Sequence, residues 1–565
     1  MRLIAFATDY DGTLAHHGRV DEDTIAALER LKASGRKLLM VTGRELPDLK
    51  QAFDRLDLFD LVVAENGSLL YFPASQEERL VAAPPPAELI AALRERHVEP
   101  LSIGRGIVAT WEPNEAAVLD AIRETGLEWQ IIFNKGAVMV LPPGVNKATG
   151  LAAALEALRL SPLNVVAIGD AENDHAFLTA CGCSVAVANA LDAVKATAAL
   201  VTSADHGAGV AQAIDALLAE PSPLIAAAAS ARAIALAPDA DAGLAADRGG
   251  VLIAGSSGFG KSTLATALIE KLAAQSFQLC VLDPEGDYNE LEGAIVLGDA
   301  KHEPVAAEAM TVLENPGSPP LVINMLALKV ADRPAFFRET VGRICELQVN
   351  SGRPHWLVID EAHHMLPAAE ASEVLPPELS AVIYVTVHPD QMTPAALRAV
   401  RTLLCVGPKG AEVLAGFCSA VEVDVPDVPE PDSEDLVLFW DLDSGRPPRW
   451  VAADPPQQAR KRHTRKYAEG ELGADKSFYF QGPDGALNLR AQNLMVFLQM
   501  ADGVDDATWL HHLHRGDYVR WFRDAIKDEN LADEALSLQD SGDAQASRKG
   551  MREIIERRYT APAQS

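Results

Sequence analysis

Short apolar runs alternate with amphipathic stretches along the first 220 residues. LIAFATDYD, KLLMVTG, LVVAEN, VVAIGD and SVAVAN read as buried strands, while DEDTIAALERLKASG and KATGLAAALEALRL repeat their apolar positions with a helical period. Such alternation predicts a parallel α/β sheet. A second series, VLIAGS, LCVLDPE, PLVINML, HWLVIDE and AVIYVTV, predicts a further α/β sheet. The expected division is 1–220, a connector with one hairpin at 221–246, a second α/β domain at 247–455, a basic linker (ARKRHTRK) within 456–466, a helical unit at 467–535 and a polar tail at 536–565 that carries a short helix at MREIIERRY. In the helical unit Leu510, Leu513, Trp521, Phe522 and Ile526 recur at helical spacing and read as core. DVPDVPEPDSED, rich in proline and acid, marks a surface loop.

A chain of 565 residues is too long for one core, which fits this division. Its formal charge of −31 argues against a protein whose main task is gripping a phosphate backbone. Six scattered cysteines form no paired CxxC clusters and read as reduced core thiols, with Cys181-Gly-Cys183 as packing. The stretch from Leu224 to Pro238 is short and interrupted by Arg232, so no membrane span is expected, and a cytoplasmic location is.

Candidate chemistry sits at the ends of the apolar runs. In FATDYDGTLA, Asp9 and Asp11 flank one residue and point the same way from an extended strand end. Two carboxylates held together repel, and a divalent cation removes that penalty, leaving one as nucleophile and the other as general acid/base. VTGR offers the Thr42 hydroxyl, with Gly43 beside it, to a phosphate oxygen. Lys147, opening a helix after PPGVN, can neutralise phosphate charge. VVAIGDAENDHAFL adds Asp170, Asn173 and Asp174, hard ligands of the kind Mg²⁺ takes.

These motifs, in this order, together with ENGS and MVLPPGVNKATGL, resemble haloacid-dehalogenase phosphatases of the subclass with an α/β cap inserted between the second and third motifs. The resemblance covers about residues 1–220 and implies a cap at roughly 83–140, short as in phosphoglycolate and sugar-phosphate phosphatases. It implies Asp9 as nucleophile, Asp11 as acid/base, and Thr42, Gly43, Asn173 and Lys147 as phosphate binders. It further implies Mg²⁺ held by Asp9, the Asp11 main-chain carbonyl, Asp170 and Asp174.

The second series carries GSSGFGKST, a phosphate-binding loop between a strand and a helix. Gly255, Ser257, Gly258 and Gly260 let backbone N–H groups wrap phosphate, and the helix N-terminus adds its dipole. Lys261 reaches the β/γ-phosphates, Ser262 the Mg²⁺, and Thr263 is the next hydroxyl. In HWLVIDEAHHML, Asp360 ends an apolar strand and can hold magnesium through water, while Glu361 can polarise an attacking water; Asp followed by Glu favours ATP hydrolysis. His363 and His364 read as structural. With LDPEGDY after the second strand, residues 247–410 resemble the HerA/FtsK-like branch of P-loop ATPases. The resemblance implies ATP as cofactor, oligomer formation through this domain, and a polar sensor at Thr386, His388 or Gln391; Arg398 and Arg401 are the candidate arginine fingers.

The leading reading is an Mg²⁺-dependent phosphatase acting on a small phosphorylated metabolite, fused to an ATP-hydrolysing P-loop domain of regulatory or assembly role, with nucleic acid not expected as a partner. A polynucleotide kinase-phosphatase, with Asp283 as base, or a DNA translocase is the second reading. A nucleotide-dependent scaffold is the third. In the C-terminal unit Arg515, Arg520 and Arg523 with His511, His512 and His514 read as a solvated polar face rather than an anion site.

Overall fold

The computed structural model describes the chain except residues 1, 135, 239–241, 246–248, 257–258, 369–380, 434–435, 458–466, 468–471, 473–475, 484, 486, 527 and 560–565. The basic run at 459–466 therefore lies outside the described residues.

The first α/β domain is an eight-stranded sheet in the order 200–201, 183–186, 165–169, 5–8, 37–41, 61–64, 69–72, 77–80. The first six strands run parallel and the last two turn antiparallel. Helices cover the sheet, so its central strands are buried along their whole length, which is why they read as unbroken apolar runs. Because neighbouring strands are parallel, the residues that follow them gather on one edge. Thr8 pairs in register with both Ile168 and Met40, bringing Asp9, Asp170 and Thr42 to that edge.

After the strand Glu77–Leu80 a separate unit is inserted. Helices Ala87–Glu95 and Glu115–Thr125 pack on a four-stranded antiparallel sheet ordered 102–103, 108–111, 137–141, 130–134. Its core is Leu89, Leu93, Val118, Val138 and Val140. The buried Glu65 ties this cap to the main sheet, accepting the N–H groups of Arg105 (3.2 Å) and Gly106 (2.7 Å).

The second domain is a nine-stranded sheet in the order 295–297, 321–324, 279–283, 356–359, 382–386, 250–255, 400–406, 437–441, 449–451, parallel through its first seven strands. The strand Val382–Thr386 lies between Gly250–Gly255, which leads into the phosphate loop, and Trp356–Ile359, which leads into Asp360.

The connector is shared between the domains. Its helix Pro223–Ala231 buries Leu224 and Ala228 in the first core, whereas Ile234, Leu236, Ala242 and Leu244 of its hairpin belong to the second. Leu163, from the first domain, is buried in the second domain's core.

The C-terminal unit joins a hairpin, Phe478–Phe480 with Leu489–Ala491, to helices 494–503, 506–514, 517–524, 529–536 and 544–559. Phe478, Phe480, Phe497, Trp509, Tyr518, Trp521 and Phe522 form its aromatic core. The polar tail expected from residue 536 is corrected here. Residues 544–559 form one helix that buries Ala544, Met551 and Ile555 in this core, and Trp509 Nε1 donates to Ser547 Oγ (3.0 Å). The charged residues of this segment cover the helix's outer face and masked the apolar stripe. All six cysteines are free and buried. No helix among the described residues is long and apolar enough to cross a membrane.

Candidate functional site

The first candidate site is built on the strand ends of the first sheet. Asp9 is almost fully buried directly after Ala5–Thr8. Lys147 is the first residue of the helix Lys147–Ala157, whose start is set by Asn146 accepting the N–H groups of Ala148 and Thr149. That helix lies unusually close to the ENG turn. A Cβ on Gly150 would stand 2.4 Å from the Gly67 Cα, so only glycines permit the approach that delivers Lys147. Lys147 Nζ donates to Asp9 Oδ1 (2.6 Å) and Asp174 Oδ1 (2.5 Å). Asp174 Oδ2 in turn accepts the N–H groups of Asp170 and Ala171, both at 2.9 Å, and Thr13 Oγ1 donates to Asp170 Oδ1 at 2.9 Å.

Carboxylate oxygens of Asp9, Asp170 and Asp174 lie within 4.8 Å of one another, all buried. Burial, then Asp174, push Asp9 up to about 8, with Lys147 pulling the other way. Burial opposes the charge on Lys147, but Asp174 and Asp9 outweigh it and its pKa rises. One ammonium among three buried carboxylates leaves an excess of negative charge, and this hard-oxygen set fits a divalent cation such as Mg²⁺.

Asp11 points elsewhere. Its carboxylate is gripped by Arg44, whose Nε and Nη2 donate to Oδ2 (2.6 Å) and Oδ1 (2.8 Å), while Nη1 donates to Asp48 (2.7 Å). Thr42 is fully buried and its Oγ1 accepts the Arg44 N–H. Gly43 lies under the cap: a Cβ there would be 3.7 Å from the Met139 sulfur. Asn173 donates to Asn66 Oδ1 at 3.4 Å. Arg44 and Glu65 were not singled out from the sequence; the signal for Arg44 was its place directly after Thr42-Gly43.

The second candidate site lies at the parallel strand ends of the second sheet. Gly255 ends its strand with the Val406 carbonyl 2.3 Å from where a Cβ would sit, and Gly260, at φ 94°, precedes the helix Lys261–Ala274. Ser257 and Gly258 lie outside the described residues. Lys261 is buried and its Nζ donates to the Ser256 carbonyl (2.9 Å). Ser262 is half-buried and Thr263 exposed. Asp360 is buried, and burial, then Glu361, Asp287 and Asp283, hold its carboxyl well above the usual range. A cation or a donor is needed to hold it charged. Glu361 takes φ 44°, ψ 49°, a left-handed backbone that costs a side-chain-bearing residue energy and turns the chain sharply after the strand.

Of the sensor candidates, Thr386 ends the strand between the two motifs. Its Oγ1 accepts the His388 N–H (3.0 Å) and lies 3.0 Å from His363 Nδ1. Arg398 and Arg401 stand at the start of the strand Val400–Val406, whose far end meets Gly255. A seven-residue strand is roughly 20 Å long. Neither arginine therefore serves the nucleotide site of its own chain. Asp283 is buried and its oxygens accept the N–H groups of Glu285, Asp287 and Tyr288. It braces the PEGDY turn and is poorly placed to act as a base. In the C-terminal unit His512 Nε2 accepts the Gln481 N–H, so its Nδ1–H faces Asp517 at 2.8 Å. That histidine is a satisfied structural group.

Comparison with known proteins divides along the same line. The haloacid dehalogenase-like hydrolase profile matches residues 6–97 and 122–214, and the profile of the helicase HerA central domain matches residues 250–342. The phosphoglycolate phosphatase of Methanothermobacter thermautotrophicus is 33% identical over 219 residues, 37% of this chain and 96% of the relative. That of Methanopyrus kandleri is 33% identical over 227 residues, 38% and 96% respectively. A solved haloacid dehalogenase-like hydrolase from Bacteroides thetaiotaomicron is 20% identical, covering 38% of this chain and 99% of that one, with a TM-score of 0.34.

Proposed function

Since this chain belongs, through its first 220 residues, to the haloacid dehalogenase-like hydrolases, we propose that this domain is a phosphatase that hydrolyses a small phosphorylated metabolite of the phosphoglycolate or sugar-phosphate class through an aspartyl-phosphate on Asp9. The observation that carries this reading is the clustering of the Asp9, Asp170 and Asp174 carboxylates at one sheet edge, with Lys147 donating to Asp9 and Asp174. An Asp9 oxygen attacks phosphorus in line with the leaving oxygen; Asp11, once turned from Arg44 and protonated, gives that oxygen its proton. Asp11, then ionised, takes a proton from the water that attacks the aspartyl-phosphate, releasing phosphate and restoring Asp9. Lys147 and Thr42 hold the transferring group, and the cap limits the volume left for the leaving group. Asp9, the Asp11 carbonyl, Asp170 and Asp174 would hold Mg²⁺, which supplies charge neutralisation for the nucleophile and the phosphoryl oxygens.

The second domain binds ATP on Gly255–Thr263 and hydrolyses it, with Asp360 directed at the metal side and Glu361 at the attacking water, in a regulatory or assembly role. A kinase role loses its support in the bonded state of Asp283.

The test is a phosphatase screen over phosphoglycolate, sugar phosphates and 3′-phosphorylated oligonucleotides, with Mg²⁺ and with or without ATP. Turnover of a small phosphate ester that disappears with chelator is expected. Exclusive turnover of the oligonucleotides would overturn the reading.

A further inference from the structure

Between the water-activating carboxylate and the strand-end hydroxyl of the second domain stands one imidazole. His363 Nδ1 lies 3.0 Å from Thr386 Oγ1 and 3.5 Å from Glu361 Oε2. The three side chains come from different places: Glu361 from the left-handed turn after one strand, His363 from the short helix Ala362–Met365, and Thr386 from the end of the neighbouring strand. The imidazole side chain is only 8% exposed, so solvent competes little for its hydrogen bonds. Its ring also lies against His364, centroids 4.1 Å apart and tilted by 40°, and meets His388 edge-on at 5.6 Å, which restricts its rotation.

The carboxylate beside the ring favours one placement of its proton. A lone pair on Nδ1 would face the Glu361 carboxylate, oxygen against nitrogen, and repel it. A proton on Nδ1 is attracted by both oxygens at once. Thr386 Oγ1 accepts the His388 N–H already, and accepting from Nδ1 as well leaves its own proton for a further acceptor.

We propose that His363 is a positioning residue for ATP hydrolysis: its Nδ1–H holds the Glu361 carboxylate and the Thr386 hydroxyl at a fixed separation, so that one orients the attacking water and the other faces the γ-phosphate. The role rests on reading the second domain as an ATP-hydrolysing one. Glu361 sits on a left-handed backbone at the end of a strand, and aiming its carboxylate at a water requires that its rotation be restrained. The imidazole supplies that restraint, and it couples the carboxylate to the strand that separates the two nucleotide motifs. A misplacement of about 1 Å of a catalytic group can cost roughly 100-fold in rate.

The test uses the full chain, with steady-state ATP turnover and nucleotide affinity by calorimetry, and phosphatase activity of the first domain as the check that the protein is folded. His363→Asn sets an amide nitrogen where Nδ1 stands, and His363→Gln sets it one bond further, where Nε2 stands. His363→Ala and His363→Gln are expected to lose roughly 100-fold in kcat, with nucleotide affinity within about twofold. His363→Asn is expected to recover most of that loss. Wild-type kcat in the Ala and Gln variants, or an Asn variant as slow as Ala, would overturn the proposal. A wild-type protein that binds ATP and never turns it over would instead remove the hydrolysis reading itself, and the positioning role with it.

Discussion

Asn164 Oδ1 lies 3.2 Å from His355 Nε2, and this buried contact joins the two domains at the roots of the strands that lead to Asp170 and Asp360. Asn164 directly precedes Val165–Gly169, which Asp170 follows; His355 directly precedes Trp356–Ile359, which Asp360 follows. The pairing is fully determined. His355 Nδ1 accepts the Gln278 N–H at 2.8 Å, so Nε2 carries the proton and donates to Asn164, whose own amide donates to the Arg2 and Gly352 carbonyls. Arg353 adds a donor to the Arg159 carbonyl across the same boundary.

Burial, helped by the nearby Arg353 charge, pushes His355 down to about 3, so it is neutral in the folded protein. Its unfolded form takes up a proton as pH falls below about 6.5. The stability it contributes is therefore complete above that value and is lost as pH falls toward 3. His355→Gln should flatten the fall in stability across this window by as much as about 1.4 kcal/mol per pH unit, measured by denaturant titration. Asn164→Ala should cost about 1–3 kcal/mol by leaving buried donors and acceptors unpaired. Unfolding of that variant identical to wild type would show that the contact does not join the domains.

Asp9→Asn should abolish phosphatase turnover and leave ATP affinity unchanged, because an amide cannot attack phosphorus. Asp11→Asn should slow turnover and accumulate phospho-enzyme, which acid quench and mass spectrometry would detect. Full activity in the Asp9 variant removes it as nucleophile.

Arg44 grips both oxygens of Asp11, and its geometry is that of a planar fork which lysine cannot reproduce. Arg44→Ala should lower phosphatase kcat roughly 10- to 100-fold, and Arg44→Lys should recover only part of it. Stability should change by less than about 1 kcal/mol, since the pair is partly solvent-exposed. A large loss of stability with unchanged kcat would make the bridge structural.

Lys261→Ala should weaken nucleotide binding and stop ATP turnover without unfolding the protein. Glu361→Gln should retain ATP and hydrolyse it slowly. Calorimetry and a coupled ATPase assay separate the two; poor ATP binding by the Glu361 variant would refute its assignment to the attacking water.

DNA binding should be weak at near-physiological salt. A duplex binder draws its affinity from phosphate contacts and released counterions, and the chain carries −31 with one short basic run, Arg460, Lys461, Arg462, Arg465 and Lys466. Gel-shift titration at several salt concentrations checks this. Tight binding with a steep salt slope, lost on neutralising that run, would favour a nucleic-acid role.

Which residues stand at strand ends is legible in the order of apolar runs along the chain. Parallel strands all finish on one sheet edge, so Asp9, Thr42 and Asp170, each directly after an apolar run, had to gather there once the sheet formed. The same logic located Gly255, Asp360 and Thr386. Glycine-rich turns and caps such as Asn146 are equally local and readable. Contacts between elements arise only when those elements dock. Arg44 reaching Asp11, His363 reaching Thr386 and Asn164 reaching His355 join residues 33, 23 and 191 positions apart. No periodicity encodes such partners, because they depend on how finished elements dock. The helix 544–559 shows the converse: its charged outer face dominates the sequence, and only the aromatic core beneath it reveals why Met551 and Ile555 are there.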